Sequence, residues 1–295
     1  STADTLRLMD AGEADFGIAD GSDIAGQIDA GRGAKAVMAI VQRPQGQVLT
    51  LAETGITDPS QLEGRTVGIS GVPSDRAVLD TIVSGDGGDP TRVEVVTIGF
   101  NGVQSLENGV VDAFVGFAAD GVQVEQDGFE VRSFALDEFG GPAYPGLVVF
   151  TTEERIDEQP ELVAGFVDCS VAGYESTLED PDAGVEALAE GATAIDTELA
   201  RAQLDVYLPQ LRGADDRVGP IDAGTIDELS EFRRRRVFRR LCRFLALEIE
   251  PPMRRFWRNR ITPELARRGR WRDERSSWRR RRIEHSYEHA LERLE

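Results

Sequence analysis

Side chains able to do chemistry are unevenly spread along this chain. Both histidines (His285 and His289) and all three tryptophans (Trp257, Trp271 and Trp278) fall after residue 232. Before that point there is one lysine, Lys35, and one cysteine, Cys169. Residues 1–232 therefore lack the imidazole on which most proton transfer and triad chemistry depends, and any Cys–His pair. They carry no zinc-ligand spacing and no G-x-x-x-x-G-K-[ST] phosphate loop. Carboxylates are abundant, but an acid–base pair is a matter of geometry, which abundance does not supply. The chemistry left to this region is recognition, with no catalytic residue, metal or cofactor expected.

Recognition would fall to short loops that follow apolar runs. In open α/β sheets ligands bind at the carboxyl ends of the strands. That singles out Asp20 and Ser22, Gln42 and Arg43, the segment Ser70 to Asp75, the loop Gly99 to Asn101, Phe117 to Asp120, and Tyr144. The segment with Ser70, Gly71, Ser74 and Asp75 has the most to offer. Gly71 permits close backbone approach, Ser74 is a good N-cap, and the free N–H groups and dipole of the following helix suit an anionic or polar group. A plain helix cap accounts for the same residues equally well. Arg43 suits a ligand in the cleft or one of the many neighbouring acids. Phe117 and Tyr144 suit stacking on a flat ring or a place in the core. Asp120 suits an amino group, or is one more acid on an acidic surface.

The elements that must position these loops follow a regular grammar. Apolar runs at Thr66–Ser70, Val93–Ile98 and Asp112–Val115 each end in a Gly-containing loop and lead into a helical pattern. This alternation predicts a parallel sheet with right-handed crossovers, and the near-continuous apolarity predicts strands covered on both faces. The same grammar opens the chain, with a helix at Leu6–Ala11, a stop at Gly12 and a strand at Ala14–Ala19. Leu8, Gly12 and Asp15 are echoed about a hundred residues on by Leu106, Gly109 and Asp112. In both places the Asp follows the Gly by three residues and leads an apolar strand, which predicts two lobes of similar design. Further strands are expected at Ala36–Gln42, Val48–Leu51 and Leu147–Thr151, and helices at Glu161–Leu178, Ala183–Glu190 and Thr197–Leu208. The turn-rich stretch Thr54–Leu62 and the loop Gly140–Gly146 are the expected crossings. The fold class is α/β, with lobe one at 1–53 and 147–232 and lobe two at 54–146. Two crossings make a hinge, in which closure on a ligand is the natural motion.

Charge divides the chain as sharply as chemistry does. Residues 1–232 hold 44 Asp and Glu against 12 Lys and Arg, a net of −32, while residues 233–295 hold 9 acids against 21 Arg, a net of +12. The acidic part argues against nucleic acid or an anionic membrane surface as partner. Such a surface stays hydrated in concentrated salt, where the Debye length falls to roughly 3 Å and repulsion is screened. With lysine nearly absent, the pattern reads as that of an extreme halophile. No apolar run reaches transmembrane length and no signal segment is recognisable. Cys169 reads as a small core residue of a helix and, with Cys242, forms no disulfide framework.

Four ordered runs then matter together: VQRP from Val41, LAETGITDPSQLEGRTVG from Leu51, GVPSD from Gly71 and GVVDA from Gly109. They resemble the thiamine-pyrimidine-precursor family, which includes substrate-binding components of ABC importers and a hydroxymethylpyrimidine phosphate synthase. The likeness covers nearly all of residues 1–232 and is densest from Ala14 to Ala135. It implies a two-lobed type II periplasmic-binding fold and a small polar or aromatic ligand, such as a thiamine pyrimidine precursor, held between the lobes. It implies an ABC permease and ATPase as partners, an extracytoplasmic location, and contact with a membrane only through the transporter or an anchor outside this chain. The alternative is an enzyme of hydroxymethylpyrimidine phosphate synthesis. The synthases' His, pyridoxal-bearing Lys and Cys-rich motif are hard to match in a region with no His, one Lys and one Cys. Two further departures are expected: the family's first strand and helix of lobe one precede Ser1, and its aromatic- and Glu-containing loop is here the shorter Gly116–Gly121, with Phe117 as its one aromatic.

The resemblance stops near Phe232, where the Arg-rich tail 233–295 begins. A basic arm for nucleic acid or membrane is one reading. The preferred one is out-of-frame translation, because a GC-rich gene dense in Asp and Glu codons yields CGA arginine codons when its frame shifts. On that reading the tail is disordered or poorly packed and carries no function.

Overall fold

The computed structural model describes residues 2–29 and 33–222, together with 224–226, Leu229 and Phe232. The chain separates into Ser1–Arg234 and Arg235–Glu295. The expectations for the tail, and Cys242 with it, lie outside the described residues.

In chain order the elements are α1 (Thr2–Asp10), β1 (Gly17–Ala19), α2 (Gly21–Asp29), β2 (Ala34–Val41), β3 (Gln47–Leu51), β4 (Thr66–Ile69), α3 (Pro73–Gly85), β5 (Glu94–Thr97) and α4 (Gly102–Glu107). There follow β6 (Ala113–Gly116), α5 (Ala118–Gln126), β7 (Val131–Ala135), β8 (Leu147–Thr152), α6 (Glu153–Glu158), α7 (Pro160–Glu179), α8 (Pro181–Gly191) and α9 (Thr197–Tyr207). They build a three-stranded sheet in the order β1-β8-β2 and a five-stranded sheet in the order β5-β4-β6-β3-β7. β4 runs parallel to β5 and β6, as the strand–helix alternation predicts.

The strands that arrive from the other sheet run against their neighbours. β3 is antiparallel to β6 and β7, and β8 to β1 and β2. The cause is geometric: a short crossing that leaves one sheet at its carboxyl edge enters the next at the facing edge, so the entering strand must point back. This corrects one boundary. The strand Val48–Leu51, expected with lobe one, hydrogen-bonds in the five-stranded sheet, so the first crossing is 42–46 rather than Thr54–Leu62. The latter stretch forms two short 3-10 turns, Ala52–Thr54 and Pro59–Leu62, leading to β4. The second crossing, residues 136–146, contains the expected Gly140–Gly146 loop.

Both sheets are covered on both faces, which is why their strands read as continuous apolar runs. On the five-stranded sheet, Leu79, Ile82 and Val83 of α3 pack with Val48, Val67 and Phe134. Its other face joins Leu49 and Phe114 to Leu106 of α4 and Val124 of α5. The three-stranded sheet buries Phe150 with Leu6 and Met9 of α1 and Ile24 of α2. Its opposite face carries Met38, Ile40 and Val149 against Val171 and Tyr174 of α7, Leu211 and Val218. Cys169 lies in α7 as expected of a helical residue, but it is exposed rather than part of the core.

Candidate functional site

The topology gathers the candidate loops on two sheet edges. One edge holds the ends of β1 and β2 with the start of β8; the other holds the ends of β4, β5, β6 and β7 with the start of β3. The crossings 42–46 and 136–146 run between these edges.

At the first edge Asp20 caps the entry to α2. Its Oδ1 accepts from the Ser22 backbone N–H at 2.7 Å and from the Ser22 hydroxyl at 2.5 Å. Burial outweighs these bonds and, with Asp23 nearby, pushes the Asp20 pKa up to about 6. Tyr144 is 3% exposed. Desolvation and then the Asp20 charge hold its phenol above the ordinary range, against a hydrogen bond with Ser22 that lowers it. Asp20, Ser22 and Tyr144 thus meet. The Tyr144 ring packs in the core beside Leu136 and Leu229, rather than offering a free face for stacking. Gly21 is required here, since a Cβ would lie 2.2 Å from the Pro145 carbonyl oxygen.

The two crossings are tied side by side. Arg43 Nε donates to Asp137 Oδ2 at 2.5 Å, and its NH2 to Asp137 Oδ1 at 3.0 Å and Glu138 Oε1 at 3.1 Å. Arg43 is therefore engaged by acids of the second crossing, the commoner of the two roles open to it. Gln42 anchors the following segment, its N–H donating to the Gln210 carbonyl at 2.8 Å and its Nε2 to the Pro220 carbonyl at 3.2 Å. Gln45, next along, is 5% exposed.

The loop after β4 is closed upon itself. Asp75 Oδ2 accepts from the Ser70 N–H at 2.8 Å, the Ser70 hydroxyl at 2.6 Å and the Gly71 N–H at 3.3 Å. The carboxylate takes up the loop N–H groups of Ser70 and Gly71 that an anionic ligand could otherwise meet, and no side chain caps α3 itself, so neither the ligand nest nor the plain helix cap is what these residues form. Ser74 is not the N-cap: the cap is Val72 and Pro73 is the first helical residue. Proline's fixed φ and missing N–H favour that position and place the start of α3 two residues earlier than a Ser74 cap would. Asp75→Ala is expected to cost about 1–2 kcal/mol through its lost bonds to the loop, read as a lower urea midpoint for the full chain in molar salt; an unchanged midpoint would show that these bonds do not hold the loop.

After β6 the arrangement is similar. Asp120 Oδ2 accepts the Phe117 N–H at 2.7 Å, and burial raises the Asp120 pKa despite that bond. Phe117 is 49% exposed and Phe100, after β5, is 82% exposed, so this edge carries two uncovered aromatic rings. Gln203 of α9 donates to the Ala119 carbonyl at 3.1 Å, bringing a helix from late in the chain onto α5.

Sequence reasoning did not find Gln45, Gln210, Asp137 or Phe100 as individual residues. Gln45 had a signal: a second carboxamide, after Gln42, in the short link between two buried strands. Phe100 stood in a named loop. Asp137 and Gln210 had none, because their roles arise only from the crossing of distant segments. Among the described residues no group of three or more His, Cys, Asp or Glu is placed to hold a metal ion.

Comparison with known proteins adds four findings. The family described as NMT1/THI5 like matches residues 1–184. The chain is 29% identical over 199 residues to the formylaminopyrimidine-binding protein of Halalkalibacterium halodurans, covering 65% of this chain and 60% of that one. It is 25% identical over 210 residues to the 4-amino-5-hydroxymethyl-2-methylpyrimidine phosphate synthase of Legionella pneumophila, covering 70% and 66%. The chain thus spans somewhat under two thirds of the length of either relative. Among solved structures, the periplasmic aliphatic sulphonate-binding protein of Escherichia coli superposes with a TM-score of 0.64 at 15% identity, over 81% of this chain and 79% of the other. That likeness shows the periplasmic-binding fold.

Proposed function

The chain belongs to the NMT1/THI5-like family, and from that premise we propose that it is the solute-binding component of an ABC importer, closing on a small nitrogenous heteroaromatic ligand. The three-stranded and five-stranded sheets are the two lobes, joined by the crossings 42–46 and 136–146. The observation that carries the reading is the convergence of both carboxyl edges on these crossings, lined by Asp20, Ser22, Phe117 and Asp120. Permease and ATPase subunits are the partners, the location is extracytoplasmic, and concentrated salt is the working solvent. The 29% identity to a formylaminopyrimidine-binding protein favours a pyrimidine. The relative named as a synthase favours a biosynthetic enzyme, but residues 1–232 offer no imidazole for acid–base chemistry.

Thermal unfolding of the full chain in molar salt, with aminopyrimidines, thiamine, riboflavin or alkanesulfonates added, tests this. A ligand at a hundred times its Kd adds about 2.7 kcal/mol, a rise of about 5–10 °C for a domain of this size. An aminopyrimidine is expected to give that rise. No rise with any of the compounds would overturn the reading.

A further inference from the structure

Gln45 sits in the first crossing with its side chain almost wholly buried. Its Nε2 donates to the Arg43 carbonyl at 2.7 Å and to Gln210 Oε1 at 3.2 Å. Gln210 passes the polarity on, its Nε2 donating to the Val206 carbonyl at 2.9 Å. Both partners of the Gln45 Nε2 are acceptors, so a reversed amide would set oxygen against oxygen; the network fixes which end is which. The free end is Gln45 Oε1, which is buried and has no hydrogen-bond partner among the described residues. A buried carbonyl left unpaired is costly, so such an atom marks a place where a donor belongs.

Two features say what kind of donor. The second crossing lies against this amide, for a Cβ at Gly146 would stand 2.9 Å from Gln45 Cγ. The carboxamide thus lies where the two crossings run side by side. In the loop before α3, the Ser70 and Gly71 N–H groups that could meet an anion already bond the Asp75 carboxylate. A carbonyl oxygen repels carboxylate and sulfonate groups and accepts from N–H.

We infer that the Gln45 carboxamide oxygen is a specificity-determining acceptor for an N–H of the ligand, an exocyclic amino group on a small heteroaromatic ring. The inference rests on the binding reading above and names the contact that selects within it. Sulfonates, which lack the donor, are excluded at this point.

Isothermal titration of the full chain in molar salt with 4-amino-2,5-dimethylpyrimidine and with 2,4,5-trimethylpyrimidine tests it, since the pair differs only in an amino or a methyl group. The unsubstituted protein is expected to prefer the amino compound by about 10- to 100-fold. Q45M, similar in shape but without the acceptor, is expected to weaken the amino compound by a similar factor and to leave the trimethyl compound within about threefold. Should Q45M fail to fold by circular dichroism, Q45N retracts the oxygen by one methylene and serves the same purpose. Equal affinity of the unsubstituted protein for both compounds would overturn the inference alone and leave the oxygen to an ordered water. A preference that persists undiminished in the variant would overturn it as well, by placing the contact elsewhere. Binding of neither compound would remove the proposed function and the inference with it.

Discussion

Gly146→Ala is expected to destabilise the acidic part of the chain by about 2–3 kcal/mol, lowering its melting temperature by about 5–10 °C. The added Cβ would lie 2.1 Å from the Arg43 carbonyl oxygen and 3.0 Å from its carbon. Those atoms are backbone of the other crossing, so no side-chain rotation relieves the contact. Gly146 does not have a left-handed φ, so the whole cost comes from forcing the two crossings apart. Gly140→Ala is the control. Gly140 has φ of 81° and open space around its Cβ position, so it bears conformational strain of about 1 kcal/mol and no clash. Urea denaturation in molar salt reads both. A midpoint for Gly146→Ala no lower than that for Gly140→Ala would mean that the crossings are not packed as described. Because the crossings are the hinge of the proposed binder, the same substitution is also expected to weaken ligand binding more than Gly140→Ala does.

What the sequence revealed of this architecture depended on how local each signal was. The echo between the start of the chain and its middle proved structural in detail. Gly12 and Gly109 both stop their helices at positive φ, 73° and 66°. Each N–H returns to a carbonyl three residues earlier, of Met9 and Leu106. Asp15 and Asp112 then lead β1 and β6, and each backbone carbonyl accepts a buried threonine hydroxyl at 2.7 Å, from Thr151 and from Thr50. Those threonines stand on β8 and β3, the two strands that enter from the opposite sheet. Each Asp also pairs with an arginine, Arg155 for Asp15 and Arg65 for Asp112. The likeness was legible because helix stop, Asp and strand lie within a few residues of one another. The sheet to which β3 belongs was not legible, since an apolar run does not say which neighbours will pair with it. β7 went unnoticed because Val131–Ala135 mixes a charged and a hydroxyl residue into five positions. Ser74 is the better capping side chain, but proline's backbone preference decides the start of α3. The site was legible as loops but not as contacts: the tie of Arg43 to Asp137 spans 94 residues.

Asp20→Asn is expected to remove a pH dependence that the native chain carries. The folded protein holds the Asp20 proton with a pKa of about 6, against 3.8 without burial. A raised carboxyl pKa contributes stability fully below about pH 3.8 and loses it as the pH climbs through 6, because the folded state binds more protons than the unfolded one in that window. A difference of this size corresponds to about 2–4 kcal/mol. Asparagine keeps an oxygen for the Ser22 N–H and hydroxyl and has no charge to desolvate. The variant should therefore match the native chain near pH 4 and exceed it progressively to pH 7, where the gap levels off. Urea midpoints of the two proteins across that range, in molar salt, give the answer directly, and parallel curves would show that the carboxylate is not desolvated. The sign matters for binding too. At neutral pH the ionised carboxylate beside Tyr144 is unfavourable where it stands, and in the proposed binding role an N–H donor or cation brought to it by a ligand would relieve that cost, whereas an anion would add to it. In the proposed binding role, Asp20 just after β1 and Gln45 in the crossing after β2 favour the same ligand chemistry, one by charge and one by an unshared lone pair.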